Sequence, residues 1–324
     1  MKMTQIFYHT DTDGHLAGYL ASQFLVDHSK PFTLDEIDYG MDFPLEAISP
    51  DSNVIIVDFS LPSEVMAELM SKINDHKNIL WIDHHKSAIE RYEKEFPAAL
   101  EVLPGIRYVG LCGAMLTWIY LYGYGDTCNY EDGTVVTDGE LIENTAKHAP
   151  VTVKLVNDHD VWNYEYGAVT SYFQTYVRSV DSSPMSGFWF KLGGYGPTRQ
   201  PVANYVNSFS TLGVCIDKGR IMSKYKRAWE ADYVKKMSFE TEFHGYTCLA
   251  VNTALANMSF FDSVRSSKYD MYIVFAHNGT NFTYSLYSET IDVAKIAEEY
   301  GGGGHKGAAG FRSDELLIKK TETK

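Results

Sequence analysis

Four short apolar runs in the first half of the chain each break off into aspartate or histidine. Ile6-Phe7-Tyr8 runs into His9-Thr10-Asp11-Thr12-Asp13-Gly14, and Val54-Ile55-Ile56-Val57 into Asp58. Ile79-Leu80-Trp81-Ile82 runs into Asp83-His84-His85, and the segment Val151–Val156 into Asp158-His159-Asp160. Between these runs, Leu16–Val26 and Glu64–Ile73 carry apolar residues at helical spacing. Short buried strands alternating with amphipathic helices predict βαβ units, hence a parallel sheet with helices on both faces. In such sheets ligands sit outside the carboxyl ends of the strands, where His9–Asp13, Asp58 and Asp83–His85 fall. Carboxylates and imidazoles gathered at one edge need something to hold their charges together, and a pair of divalent cations would do so.

The rest of the chain extends this plan. A helix is expected over about Gly113–Tyr122, ending in Gly123-Tyr124-Gly125. Pro150 is placed to open the short helix that carries Val153, Leu155 and Val156 up to Asp158. The Gly-, Pro- and Ser-rich stretch 182–202 reads as a loop between helices of the first domain. Gly213–Met237 is helical and basic, with Lys218, Arg220, Lys224, Lys226, Arg227, Lys235 and Lys236. Strands are expected over Thr247–Val251, Met271–Ala276 and Phe282–Tyr287, and a helix over Ile291–Tyr300 leading into Gly301-Gly302-Gly303-Gly304-His305. The expectation is an α/β chain of two domains, 1–212 and 245–324, joined by a helical connector over 213–244, with a cleft between the domains.

Composition narrows the partners. The 324 residues carry a formal net charge of −14, unevenly spread. Residues 1–180 hold 11 Lys and Arg against 27 Asp and Glu, whereas residues 181–324 hold 17 against 15. An acidic first half argues against wrapping long duplex DNA, because phosphate neutralisation drives such binding. The N-terminus has no apolar signal core, and no apolar run approaches the roughly 18 residues of a membrane span. Cys112, Cys128, Cys215 and Cys248 show no Cys-x-x-Cys spacing, which points to a reducing cytoplasmic setting rather than a disulfide framework or zinc knuckle.

Each cluster has a plainer reading. Asp11-Thr12-Asp13-Gly14 resembles a turn or the start of a calcium loop, but an EF-hand needs Glu where Ser22 stands. Asp58 could cap the helix that begins near Ser60 or Ser63. Four glycines often make a linker, yet here they lie between a helix and a compact segment, and glycines let backbone N–H groups approach an anion. Trp162 reads as a packing residue rather than a base-stacking one. No plainer reading explains why all the acidic and imidazole groups fall at one sheet edge.

The Asp-x-Asp segment, the lone Asp58, Asp83-His84-His85 and the later aspartate come in one order, and Gly301–Gly310 follows as Gly-Gly-Gly-Gly-His-Lys-Gly-Ala-Ala-Gly. In these motifs the chain resembles the DHH phosphoesterases, in the subgroup with a DHH-associated C-terminal domain. The resemblance implies a catalytic first domain and a substrate-binding second one. It implies that His9, Asp11 and Asp58 hold one metal and that Asp13, Asp58, His84 and Asp158 hold another, Asp58 bridging; Asp160 is the alternative to Asp158. Mixed imidazole and carboxylate ligands favour two Mn²⁺, with Co²⁺ or Mg²⁺ as alternatives. Asp83 would orient a histidine, and His85 would stabilise charge on the phosphoryl oxygens. Gly302, Gly303, Gly304 and His305 would grip substrate phosphate. Tyr287 stands where many relatives have arginine, so either Arg265 supplies that contact or the tyrosine handles the substrate differently.

The activity implied is that of a manganese-dependent phosphoesterase. By a two-metal-activated water it would hydrolyse dinucleotides and short oligonucleotides, as nanoRNases do, and also 3′-phosphoadenosine 5′-phosphate. The alternatives are a cyclic or linear dinucleotide phosphodiesterase, a RecJ-like single-strand exonuclease, or a catalytically silent nucleotide-binding regulator. A homodimer is compatible with the resemblance.

Overall fold

The computed structural model describes residues 2–123, 133–192 and 211–321. Tyr124, Gly125, Cys128 and the portion 193–202 of the Gly/Pro/Ser-rich stretch lie outside the described residues. The chain divides into two compact units, Met1–Met222 and Ser223–Lys324.

In the first unit, β1 (Thr4–His9) is followed by α1 (Thr12–Asp27), β2 (Phe32–Ile37), β3 (Asn53–Val57), α2 (Ser63–Lys72), β4 (Ile79–Ile82) and α3 (Lys86–Glu95). Then come α4 (Pro97–Val102), β5 (Gly105–Ile106), α5 (Gly113–Trp118), β6 (Val135–Val136), α6 (Gly139–Ala146), α7 (Val151–Asp160), α8 (Ala168–Val177) and α9 (Phe188–Leu192). α10 (Thr211–Met237) runs on into the second unit.

The four long strands form one parallel sheet in the order β2-β1-β3-β4. The apolar runs are continuous because both faces are covered, as parallel sheets require. Alternate residues serve opposite faces: Ile6, Tyr8, Ile55, Val57, Leu80 and Ile82 pack with Leu16, Leu20 and Met115 of α1 and α5. Phe7, Val54, Ile56, Ile79 and Trp81 pack with Met66, Leu69 and Tyr92 of α2 and α3. From β1 the chain turns to β2 on one side and returns to β3 on the other. The carboxyl ends of β1 and β3 therefore flank the point where the winding reverses.

Two elements depart from the sequence expectation. β2 (Phe-Thr-Leu-Asp-Glu-Ile) was not predicted; it is an edge strand with Asp35 and Glu36 exposed, so it lacks the continuous apolar run of its neighbours. The helix expected through Tyr122 is α-helical only to Trp118 and widens into a π turn over Ile119–Gly123.

The second unit holds β7 (Ser238–Phe243), β8 (Tyr246–Asn252), β9 (Met271–His277), β10 (Phe282–Tyr287), α11 (Val293–Glu298), β11 (Gly303–His305) and β12 (Ala308–Ser313). These strands make one mixed sheet, ordered β11-β12-β10-β9-β8-β7, in which only β8 and β9 pair in parallel. Residues 238–243 thus form an edge strand, and the helical connector expected over 213–244 stops at Met237. Among the described residues no helix is long and apolar enough to cross a membrane.

One close approach, within the first unit, sets the start of α10 against α8. At Gly219 a Cβ atom would lie 1.8 Å from the carbonyl oxygen of Tyr172 in α8. Neither backbone can move without disturbing the packing of Leu212 and Cys215 in the core. Gly219→Ala should therefore cost about 1–3 kcal/mol, as overpacking typically does. A thermal melt of the variant superimposing on that of the parent would show that α8 and α10 do not meet in this way.

Candidate metal centre at the carboxyl edge of the parallel sheet

The site is assembled from strand ends and helix starts. Asp11 ends the turn after β1 and caps α1, its Oδ1 accepting from the Gly14 N–H at 2.9 Å. The turn is tight: a Cβ at Gly14 would lie 2.2 Å from the His9 carbonyl oxygen. The segment is therefore a helix start and not a calcium loop. Asp13, one residue into the helix, is buried and takes two N–H groups from the start of α5, Gly113 to Oδ2 at 2.6 Å and Ala114 to Oδ1 at 2.9 Å. Asp58 follows β3 with a left-handed φ of 56°, a conformation aspartate tolerates better than most residues.

Asp58 is the centre of the arrangement. It is fully buried, and neither of its carboxylate oxygens has a hydrogen-bond partner. A buried carboxylate left this way is costly unless a cation meets it. Two donor groups flank it. On one side, His9 Nδ1, itself buried without a hydrogen-bond partner, lies 3.5 Å from Asp11 Oδ2 and 3.8 Å from Asp58 Oδ2. On the other, His84 Nε2 lies 3.2 Å from Asp58 Oδ1, 3.7 Å from Asp13 Oδ2 and 3.6 Å from Asp160 Oδ2. His9, Asp11 and Asp58 form one potential metal-holding group, and Asp13, His84 and Asp160 another; Asp58 also groups with His84 and His85.

The charges in the cluster strain against each other. Burial, then the charges of Asp13 and Asp11, push the Asp58 carboxyl well above the ordinary carboxylate range. Burial and the same two neighbours push Asp160 up to about 8. Divalent cations would supply what this donor set lacks, and mixed oxygen and imidazole donors suit a transition metal.

Supporting groups orient the imidazoles. Asp83 is wholly buried and accepts from the Ser60 hydroxyl, from the His84 N–H at 2.8 Å and from His85 Nδ1 at 2.7 Å. Burial raises the Asp83 carboxyl, but the bonds from His85 and Ser60 outweigh it and hold the group below its usual range. The pairing fixes His85 by Nδ1 and leaves Nε2 for another partner. Asp38, directly after β2, does the same for His9: its Oδ1 lies 3.3 Å from Nε2, so Nδ1 turns toward Asp58. Asp38 and Ser60 were not singled out from sequence. Asp38 obeys the strand-end rule that exposed the other clusters, but the strand before it is the unrecognised edge strand.

Asp158 does not join the cluster; Asp160 does. On α7, residues two apart point about 200° from each other, so only one can face the strand ends. Asp158 turns away and is satisfied: Oδ1 accepts from the Glu165 N–H at 2.6 Å, and Oδ2 from the Tyr166 N–H at 3.2 Å and the Thr170 hydroxyl. Asp158 thus organises the turn after α7.

In the second unit, the glycine run is a helix cap continued by a hairpin. Gly301 (φ 74°) donates to Glu298 O at 3.0 Å and Gly302 to Ala297 O at 2.9 Å, the two bonds of a Schellman cap on α11. Gly303-Gly304-His305 then pairs with Ala308-Ala309-Gly310. The N–H of Gly302 is therefore taken by the cap, while His305 is exposed. Arg265 pairs with Asp262 at 3.0 Å and Glu289 at 3.1 Å and lines a depression separate from that of Gly301 and Gly302.

No family model matches the chain. An uncharacterized protein of Acanthamoeba polyphaga mimivirus is 24% identical over 277 residues, covering 81% of this chain and 53% of that protein. The chain thus spans about half the length of the curated relative it matches. Among solved structures, an uncharacterized protein from Helicobacter pylori G27 aligns with a TM-score of 0.41 at 16% identity, over 98% of this chain and 94% of that one. The pGpG-specific phosphodiesterase PggH from Vibrio cholerae aligns at 0.42 and 13%, over 97% and 94%. A manganese-bound exonuclease RecJ aligns at 0.41 and 13%, over 97% and 86%.

Asp158 and Asp160 should separate cleanly in thermal melts. Asp160→Asn removes one crowded charge, so the metal-free protein should melt higher, while the upward shift on adding Mn²⁺ shrinks. Asp158→Asn leaves backbone donors poorly matched and should cost about 1–3 kcal/mol without metal. If Asp160→Asn retains the full Mn²⁺ shift, Asp160 holds no metal.

Proposed function

We propose that the chain is a metal-dependent phosphoesterase of the DHH type, acting on dinucleotides and other short nucleotides. The observation that carries this reading is Asp58, buried with both oxygens unpartnered between the His9/Asp11 and Asp13/His84/Asp160 groups. In this reading His9, Asp11 and Asp58 hold one divalent cation, and Asp13, Asp58, His84 and Asp160 hold a second, Mn²⁺ in preference to Co²⁺ or Mg²⁺. Bound there, the pair would supply Lewis acidity that makes water a nucleophile at neutral pH and offsets phosphoryl charge.

The chain's own groups do the remainder. Asp38 keeps Nδ1 of His9 directed at the cluster. Asp83 locks the His85 ring by Nδ1. Burial lowers the His85 imidazole, but the bond and charge of Asp83 outweigh it and raise the group, so it carries a proton more readily than a free histidine. A protonated Nε2 is suited to donate to a phosphoryl oxygen as charge builds there. In the second unit, Gly303, Gly304 and His305 are proposed to take a substrate phosphate. For Arg265 the proposal is weaker, because its two carboxylates already occupy it.

The protein should be incubated with Mn²⁺ and pApA, pGpG, 3′-phosphoadenosine 5′-phosphate, cyclic di-AMP or a 20-mer RNA. Fastest turnover is expected on the linear dinucleotides, with loss in excess chelator and recovery with Mn²⁺ or Co²⁺ better than with Ca²⁺. Full activity in EDTA would defeat the metal reading, and nucleotide binding without turnover would indicate a regulator.

Two variants divide the roles. Asp58→Ala should lose metal and activity together, whereas His85→Ala should keep its metal and lose about 10²–10⁴-fold in kcat. Metal analysis showing full occupancy in Asp58→Ala would remove Asp58 from the centre. His305→Ala should raise KM more than it lowers kcat.

A further inference from the structure

Trp162 stands at the end of α7 in a position that ordinarily belongs to glycine. Its N–H donates to His159 O at 3.2 Å, and that of Asn163 to Asp158 O at 3.1 Å, the bond pair of a Schellman cap. Trp162 carries the left-handed φ of 56° that this cap requires, and Tyr164 two residues on has a φ of 52°. A side chain with Cβ is strained there, which is why glycine prevails. Burial does not compensate, since Trp162 is 74% exposed. Its ring neighbours, His159 and Tyr164, lie 6.3 and 6.0 Å away between centroids. These contacts leave most of the indole uncovered, so packing alone does not account for an indole in a strained position.

What Trp162 faces does give a reason. It lines a cavity of about 500 Å³ whose wall also includes Asp11, Asp13 and Asp160. That volume lies within the range of small-molecule sites. Arg178, at the end of α8, is the one Arg or Lys among the residues lining it. Among the described residues Arg178 has no carboxylate partner; its guanidinium lies 3.5 Å from His159 Nε2. An unpaired guanidinium in the acidic half of the chain, beside a cluster of carboxylates, is placed for an anion that reaches the same cavity.

We propose that this cavity receives a 5′-phosphorylated dinucleotide, with Trp162 stacked on a nucleobase and Arg178 on the terminal phosphate, while the scissile phosphate lies at the cluster. This rests on the phosphoesterase reading above and names the residues that select its substrate; with both phosphates of a dinucleotide placed here, the phosphate proposed for Gly303, Gly304 and His305 is that of a longer substrate. An exposed aromatic face tolerates any base, so it selects for a nucleotide rather than for a sequence. The guanidinium selects for a second phosphate.

The test uses the full chain with Mn²⁺, the substrates pApA and ApA, and the variants Trp162→Gly, Trp162→Phe and Arg178→Gln. Trp162→Gly relieves the left-handed strain, so the metal-free protein should melt higher, yet KM for pApA should rise at least tenfold with kcat within threefold. Trp162→Phe should keep KM within threefold of the parent. Arg178→Gln should raise KM for pApA at least tenfold and for ApA less than threefold.

A lower melting temperature for Trp162→Gly would make the indole structural and overturn the inference. So would a KM for pApA within twofold of the parent in both Trp162→Gly and Arg178→Gln, with the phosphoesterase reading left standing. Should the parent hydrolyse no phosphoester, that reading fails by itself, and calorimetric binding of pApA decides the cavity. Tenfold weaker binding in both variants supports it, and equal affinities or no binding refute it.

Discussion

Like charges crowded round one buried carboxylate are the constraint around which the first unit is organised. Among the described residues Asp58 has no hydrogen-bond donor to either oxygen, and Asp13, Asp11 and Asp83 crowd it. Neutral side chains could fill the same space without that repulsion, and a cation among these donors would relieve it. The surroundings show how the repulsion is contained. Asp13 is steadied by two N–H groups of α5, Asp11 by the N–H of Gly14, and Asp83 by Ser60 and both histidines that follow it. Asp58, wholly buried, has no such bond among the described residues. The periphery is steadied by protein donors, and the centre is left in a form that could take a metal ion.

Glycine enters this design where backbone must come close to the cluster. A Cβ at Gly113 would lie 2.5 Å from Asp58 Cβ and 2.6 Å from its Oδ1. The start of α5 can therefore reach Asp13 only because nothing projects from it toward Asp58. Close packing of helix and strand end thus serves the electrostatics as well as the core.

The parts of the fold legible in the sequence were those buried on two faces. β1, β3 and β4 announce themselves as unbroken apolar runs, and the charged residue after each marks the sheet edge. β2 has one neighbour and exposed acidic residues, so it reads as irregular, and Asp38 was lost with it. The choice between Asp158 and Asp160 depended on the rotation of α7 about its axis. Adjacency to an apolar segment does not give that angle, and neither does burial along the helix, since Leu155 and Asp158 are buried as well as Val153 and Val156. The glycine run misled in the opposite direction. Of Gly302, Gly303, Gly304 and His305, expected to grip phosphate, Gly302 has its N–H taken by the cap of α11, and only the chain's path shows it.

The bond between Asp13 and the start of α5 joins residues 100 apart in sequence. Its reach sets the order in which the centre can come into being during synthesis. When β1 and the Asp-x-Asp turn have left the ribosome, the groups that steady Asp13 do not yet exist. The second histidine-bearing group stays incomplete until α7 has formed with Asp160. Early contacts are local, and the long-range ones that build the site come last. A chain interrupted anywhere before α7 can present loose carboxylates to a cation but not this cavity. The full donor set becomes available only to a molecule whose parallel sheet is already closed over its helices.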